Sequence, residues 1–345
     1  MQAFPGKTPR MPLRPIGAAL IVLLSGHIPA HAEQGGTRKA DPAGSFSLSY
    51  DNDLFAGTDR YYTSGIQLDW RSPSENPPAW LAWVNSRAGF IFPAGGAPRW
   101  GLSAGHNIFT PSDTQARNPD PTDRPYAGWL FGAVSLVSST ATQFGGLELQ
   151  VGVVGPSALG RQAQNGVHRL RNLDRANGWS YQLKDEVGVN LIFSRKWRYN
   201  QELGFGGLAV GLVPSVTGSL GNVLTYASAG LVLRLGNNLS ADFGPPRNRP
   251  AISGSAFFEP GEGFSWYVFA GIEGRAVARN IFLDGNSLQD SRSVERIPGV
   301  ADASLGAVAM LGRARLTASY TFRSREFNAQ PQSAQYGSLS LSVRF

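Results

Sequence analysis

The feature that most constrains this chain is a two-residue rhythm. Over segments of about ten or more residues an apolar or aromatic residue returns at every second position, and Gly, Asn, Ser and Pro separate the segments. A period of two puts alternate side chains on opposite faces of an extended strand. Twelve segments follow one another, at 45–55, 62–72, 99–109, 126–138, 141–154, 181–197, 204–216, 222–235, 264–278, 299–311, 313–324 and 335–345. In several, small residues share one face and bulky ones the other, as at 207–213 (GLAVGLV). Strands of 11 to 17 residues are too long for a soluble β-sandwich, whose strands usually run to about 5 or 6. The fold class read here is all-β, a transmembrane antiparallel β-barrel of about 12 strands. An even number suits a single-chain outer-membrane barrel.

Two further features agree. Charged residues make up 16% of the chain, against roughly 25% in ordinary soluble domains. After residue 32 no stretch is long and apolar enough for a transmembrane helix, so a membrane-spanning form must be a barrel. The absence of Cys excludes a disulfide scaffold, a thiolate metal site and a cysteine nucleophile. Lys7, Arg10 and Arg14 precede the apolar run 16–24 (IGAALIVLL) and the Ala30, His31, Ala32 cleavage pattern. Residues 1–32 are therefore expected to be a signal peptide, and 33–345 the barrel. Without the leader, 28 Lys and Arg face 24 Asp and Glu, a net charge of +4, and only His106 and His168 remain of the histidines. The C-terminal segment ends in an aromatic, Phe345, and is similar to the last strand of outer-membrane proteins.

Strand parity assigns the loops to sides. With the mature N-terminus periplasmic, the outward loops are 56–61, 110–125, 155–180, 217–221, 279–298 and 325–334. Inward turns are tight at Ser139 and Thr140 and at Gly312. The inward links 73–98 and 236–263 are long, and the first carries Trp80 and Trp83 in a candidate interfacial helix. Four polar clusters gather at the outer rim: Asp51, Asn52 and Asp53; 58–65 (TDRYYTSG); 110–125 with Asp113, Arg117, Asp123 and Arg124; and 162–169 (QAQNGVHR).

His168 falls in 159–174, a stretch with helical character and an apolar stripe of Leu159, Val167, Leu170 and Leu173. Gln164 stands four residues before it, on the same helix face. A neutral imidazole suits general-base work near ambient pH, and the bland alternative is a surface histidine on a loop helix. His106, inside a strand, reads as a lumen or interface residue. Asp51, Asn52 and Asp53 offer the hard oxygens that Ca²⁺ prefers, although alternation turns Asn52 away from the two carboxylates unless the strand bends. An ordinary polar strand end is the competing reading. Ser64, Ser112 and Ser157 lie near enough for a serine triad, but no G-x-S-x-G elbow is present.

At these residues the chain resembles the LpxR family of outer-membrane lipid A 3-O-deacylases. The motifs are 49–55 (SYDNDLF) with 58–65, then 108–111 (IFTP), 123–128 (DRPYAG), 152–156 (GVVGP) and 164–169 (QNGVHR), followed by Trp179 and Gln182. The resemblance implies a twelve-stranded outer-membrane barrel with its active site at the outer rim, between the wall and a short helix in an extracellular loop. It implies calcium-dependent removal of the 3'-linked acyloxyacyl group of lipid A. His168 then matches the base that activates water, and Gln164 the neighbouring helix glutamine. Asn52 and Asp53 match the pair near the cation, with Thr63 beside them, and Asp174 takes a position that is glutamate in the family. Six residues are about 240° of helix, so Asp174 can meet His168 only where the helix ends between them. A basic pair of the family is here Ala116 and Arg117, one cation fewer. Arg117, Arg124 and Arg169 are the candidates for the substrate's phosphates. The partner implied is lipid A or lipopolysaccharide in the outer leaflet, bound by a monomer, with no nucleic-acid partner. The competing readings are an outer-membrane phospholipase, which needs a serine nucleophile, and a non-catalytic porin-like barrel.

Overall fold

The structure is a computed structural model that describes residues 40–53, 61–204, 206–245, 257–261 and 263–345. The expected leader at 1–32, and residues 58–60 of the opening motif, lie outside the described residues. Strands β1 (Ser45–Asn52), β2 (Tyr61–Arg71), β3 (Ala97–Thr110), β4 (Ala127–Ser139), β5 (Gln143–Val154) and β6 (Glu186–Trp197) pair in sequence order. So do β7 (Tyr199–Glu202), β8 (Ala209–Gly221), β9 (Leu224–Gly236), β10 (Phe264–Asn280), β11 (Gly299–Leu311), β12 (Ala314–Arg323) and β13 (Ala334–Arg344). All pairings are antiparallel, β13 returns to β1, and β6 also pairs with β8, so the sheet closes. Closure satisfies the backbone of every stave and leaves no edge exposed to lipid.

The thirteenth strand does not add a stave. β7 pairs with the same edge of β8 that β6 uses, at Tyr199 to Leu212 where β6 stops at Lys196 to Ser215. The break between them is Arg198, whose guanidinium donates to the carbonyls of Ala141, Ser240 and Asp242. An arginine turned inward to hold the barrel's contents interrupts one stave, and twelve remain. The segment expected as strand from 204 begins pairing only at Ala209, after Gly204, Gly206 and Gly207 with positive φ. The tight inward turns form where expected, with Thr140 N–H on Gln143 O (2.8 Å) and Gly312 at φ 54°. The 73–98 link holds helix α1 (Ala79–Arg87). Among the described residues no helix is long and apolar enough to cross a membrane.

Alternation sorts the faces. Leu48, Ile66, Leu68, Leu102, Val134, Leu149, Leu231, Leu305 and Leu341 stand on the outside. Inside, hydroxyls meet in ladders, Ser47 with Ser342 (2.8 Å) and Ser49 with Ser340 (2.9 Å). Both ends of the lumen are filled. At the outer end Tyr62, Phe109, Trp129, Phe131, Leu183, Phe282 and Tyr336 form an apolar plug, with the Phe109 and Phe282 rings stacked at 4.0 Å. At the periplasmic end Leu239, Ala241, Phe243, Phe257 and Phe258 of the long 237–263 link fold in against Phe144, Tyr267 and Met310. Asp242 pins this segment by accepting from Arg234 (3.0 Å), Arg315 (3.1 Å) and Tyr267 (2.9 Å).

Candidate active site

A horizontal row of register partners crosses four staves near the outer rim: Asn52, Ser64, Ile108 and Gly128. Ile108 shares the outward face of β3 with exposed Leu102, and Asn52 that of β1 with exposed Phe46 and Leu48. The row is therefore on the outside of the wall. A β-bulge at Thr63 shifts the register between Tyr62 and Ser64. Tyr62 consequently points inward, its hydroxyl 2.9 Å from Asp51 Oδ2 and 3.2 Å from Asn107 Oδ1. That hydroxyl lies directly over Gly65, where a Cβ would come within 1.9 Å of it. The bulge leaves Thr63 to bond its hydroxyl to that of Thr110 (2.7 Å), while the Asn52 amide N–H donates to the Thr63 carbonyl (3.0 Å). Strand β1 ends at Asn52 and Asp53 enters a helical turn, fully buried. Thus Asp51 belongs to the lumen and leaves the Asn52, Asp53, Thr63 group without it.

Helix α2 (Gly160–Leu170) packs on β3 and β4, at the Ile108 and Gly128 end of this row. Two glycines allow the approach: a Cβ on Gly128 would meet Gly160 Cα at 3.2 Å, and one on Gly160 would meet the Trp179 ring at 2.6 Å. The buried face of α2 is its polar one, Gly160, Gln164 and His168, spaced four residues apart. Ala163 beside it packs with Ile108, Tyr126, Ala176 and Trp179. The residues of the expected apolar stripe, Leu159, Val167, Leu170 and Leu173, are exposed.

Each polar group on the buried face is oriented. Trp179 Nε1–H donates to Gln164 Oε1 (2.8 Å), which turns the glutamine's NH₂ the other way. Asn165 clamps the return strand by exchanging two hydrogen bonds with Ala176 (2.9 and 3.3 Å). The helix ends at Leu170, so residue 174 can swing back to the histidine. The contact is made by the Asp174 backbone carbonyl, 2.5 Å from His168 Nδ1, while the Asp174 side chain is exposed. A carbonyl oxygen only accepts, so Nδ1 is the donor in this bond. The expected link between 168 and 174 exists, but aspartate or glutamate at 174 makes no difference to it.

The arginines divide. Arg117 and Arg169 are exposed. Arg124 is a correction to the phosphate set: its guanidinium is buried inside the rim, 3.2 Å from Glu326 and over the Phe109 ring at 5.1 Å. An ion pair at the outer plug, sealed from solvent, leaves it facing the lumen and not the lipid. Of the candidate serines, Ser64 stands on the row and two are engaged elsewhere. Ser112 donates to Asp123 (2.5 Å) and Ser157 to Asp185 (2.8 Å), each closing a loop turn. Sequence reasoning missed Thr110, whose hydroxyl joins Thr63 only because of the bulge, and Trp179 as the donor that fixes Gln164.

Among the described residues no group of three or more His, Asp and Glu side chains stands ready to hold a metal ion. Asn52, Asp53, Thr63 and Thr110 instead offer one carboxylate, one amide and two hydroxyls, all buried oxygen donors. That chemistry fits a hard ion completing its shell from backbone or water.

Comparison with known proteins agrees with this geometry. The family model described as "Outer membrane protein LpxR" matches residues 17–345. Among solved structures, LpxR from Salmonella typhimurium is 23% identical, covers 87% of this chain and 99% of its own, and superposes with a TM-score of 0.69. The β domain of the Bordetella autotransporter BrkA is 12% identical over 88% of this chain and 98% of its own, with a TM-score of 0.43. No curated protein sequence matches the chain. A family match over nearly the whole chain, on a closed barrel with a lipid-type exterior, establishes that this chain is an outer-membrane barrel belonging to the LpxR family.

Proposed function

We propose that this chain hydrolyses the 3'-linked acyloxyacyl ester of lipid A in the outer leaflet, as a monomer, with His168 as the general base. The observation that supports the reading is the outward row Asn52, Ser64, Ile108, Gly128, whose β3 and β4 end is packed by α2 with Gln164 and His168 on its buried face. The helix starts over Gly128 on β4, and Ala163 packs with Ile108 on β3. Eight residues of helix advance about 12 Å, against about 4.8 Å per strand. A course continued along the row carries His168 toward β2 and β1, where Thr63, Asn52 and Asp53 lie.

Ester hydrolysis requires a base for water and donors for the oxyanion. The tautomer enforced by the Asp174 carbonyl leaves His168 Nε2 to take a proton from water. Gln164, with its oxygen committed to Trp179, turns N–H donors toward the developing oxyanion. Arg117 and Arg169 are placed to meet lipid phosphates by charge-assisted bonds. Calcium, when bound by Asn52, Asp53 and Thr63, supplies positive charge for polarising the ester carbonyl. Filled lumen ends argue against a porin, and the engagement of Ser112 and Ser157 with carboxylates takes two of the three candidate nucleophiles from a serine phospholipase. Mass spectrometry of lipid A from a host expressing the gene separates the readings. Loss of the 3' acyloxyacyl mass supports the proposal. Free fatty acid from phosphatidylethanolamine, or unchanged lipids, overturns it.

A further inference from the structure

The helix that carries His168 has a second chemistry on its uncovered sides. At about 100° per residue, Val167 and Leu170 lie on one flank of the buried face, and Arg161 and Arg169 on the other, roughly 170° away. Arg171, Leu173 and Arg175 follow the helix end, and all of these are exposed. Leu170 is 86% exposed, more than any other described apolar side chain of the helix or the wall. An aqueous surface gives no reason for a leucine at that position. Ala163, on that flank, packs against the cluster of Ile108, Tyr126, Ala176 and Trp179. Below Ile108 on the same outward row lie His106, Ala104 and Leu102, the lipid-facing wall. The helix flank thus meets the outward row of β3 at Ile108, above Ala104 and Leu102 with His106 between, and Arg161 and Arg169 lie on the opposite flank.

We infer that α2 is an interfacial helix docked on a phosphorylated lipid surface. Val167, Leu170 and Leu173 enter the acyl layer, and Arg161, Arg169, Arg171 and Arg175 pair with phosphates of the headgroups. Two observations select lipid over a second copy of the chain or a soluble partner: the helix is packed on the outside of the wall at β3 and β4, and cations stand beside its exposed leucines, where a phosphate layer lies. The inference rests on the outer-membrane assignment and is independent of the hydrolase reading. Whatever anchors the helix also sets the depth at which His168 meets a lipid.

The chain has no cysteine, so single-Cys variants can be spin-labelled without background. Full-length Leu170→Cys, Val167→Cys and Gln162→Cys barrels are refolded into vesicles of phosphatidylethanolamine and phosphatidylglycerol. Power saturation then compares accessibility to oxygen and to a water-soluble nickel chelate. The labels at 170 and 167 are expected to favour oxygen and the label at 162 to favour nickel. In phosphatidylcholine alone, the 170 label is expected to move toward water. Replacing Arg161 and Arg169 by Gln is expected to erase the difference between the two vesicles. Water-like accessibility at both 167 and 170 overturns the inference. So does dipolar broadening between labels, which signals a second copy. The same depths in a His168→Ala background separate this inference from the catalytic one, and Val167→Cys decides the matter should Leu170→Cys fail to refold.

Discussion

Replacing Gly160 by alanine tests whether α2 must lie where it does. A Cβ there would fall 2.6 Å from Trp179 Cη2 and 3.2 Å from Gly128 Cα. Non-bonded carbons settle at about 3.5–4.0 Å, so the first contact alone demands a shift of about 1 Å. Neither neighbour can give way cheaply. Trp179 is held between the Tyr126 ring at 4.8 Å and its bond to Gln164, and Gly128 is the backbone of the wall. The helix moves instead, and Gln164 and His168 move with it. A misplacement of that size costs on the order of 10²-fold in rate, or about 2.7 kcal/mol of barrier. Gly166→Ala is the control on the same helix. Its Cβ meets nothing within 4 Å, and the exchange favours helix by about 1 kcal/mol. The assay is the initial rate of acyl release from lipid A in mixed micelles, with heat-modifiable gel mobility reporting a folded barrel. Gly160→Ala is expected to lose roughly a hundredfold with mobility unchanged, and Gly166→Ala to keep its rate. Wild-type turnover by Gly160→Ala, or an equal loss in Gly166→Ala, refutes the reasoning.

His168→Ala should keep the barrel folded and lose on the order of 10²–10⁴ in acyl release; full activity sinks the general-base role. Asp174→Asn should turn over close to wild type, because its backbone carbonyl holds His168, and a hundredfold loss would show that the carboxylate acts after all. Asp53→Ala should lose activity that excess calcium partly restores, and a wild type indifferent to chelator removes the cation from the scheme. Arg124→Ala, which strips Glu326 of a buried partner, should lower stability by about 3 kcal/mol, read as a shifted urea midpoint of gel mobility.

The staves were legible because a wall between lipid and lumen imposes a period of two on every strand. The interruption at Arg198 was not, since its cause is carbonyls on a segment some forty residues later. Arg124 was misread for a similar reason: its partner Glu326 is 202 residues away, and proximity in sequence to other rim cations suggested a shared task. Gln164 and His168 were readable from helical spacing, but the direction they face was not. In water-soluble proteins an amphipathic helix buries its leucines. On the outside of a membrane barrel the surroundings are reversed, and α2 buries its glutamine and histidine. The bulge that brings Thr63 to Thr110 left no trace in the pattern of residue types.

The apolar stoppers at the two ends of the cylinder bear on how any ligand arrives. Among the described residues, apolar packing at both ends closes the centre to a lipid, so traffic to α2 comes sideways, by diffusion within a single leaflet. Encounter then becomes a two-dimensional search, governed by the fluidity and surface density of the surrounding lipid and not by its concentration in water. Stiffening that leaflet should slow the protein without touching one of its residues.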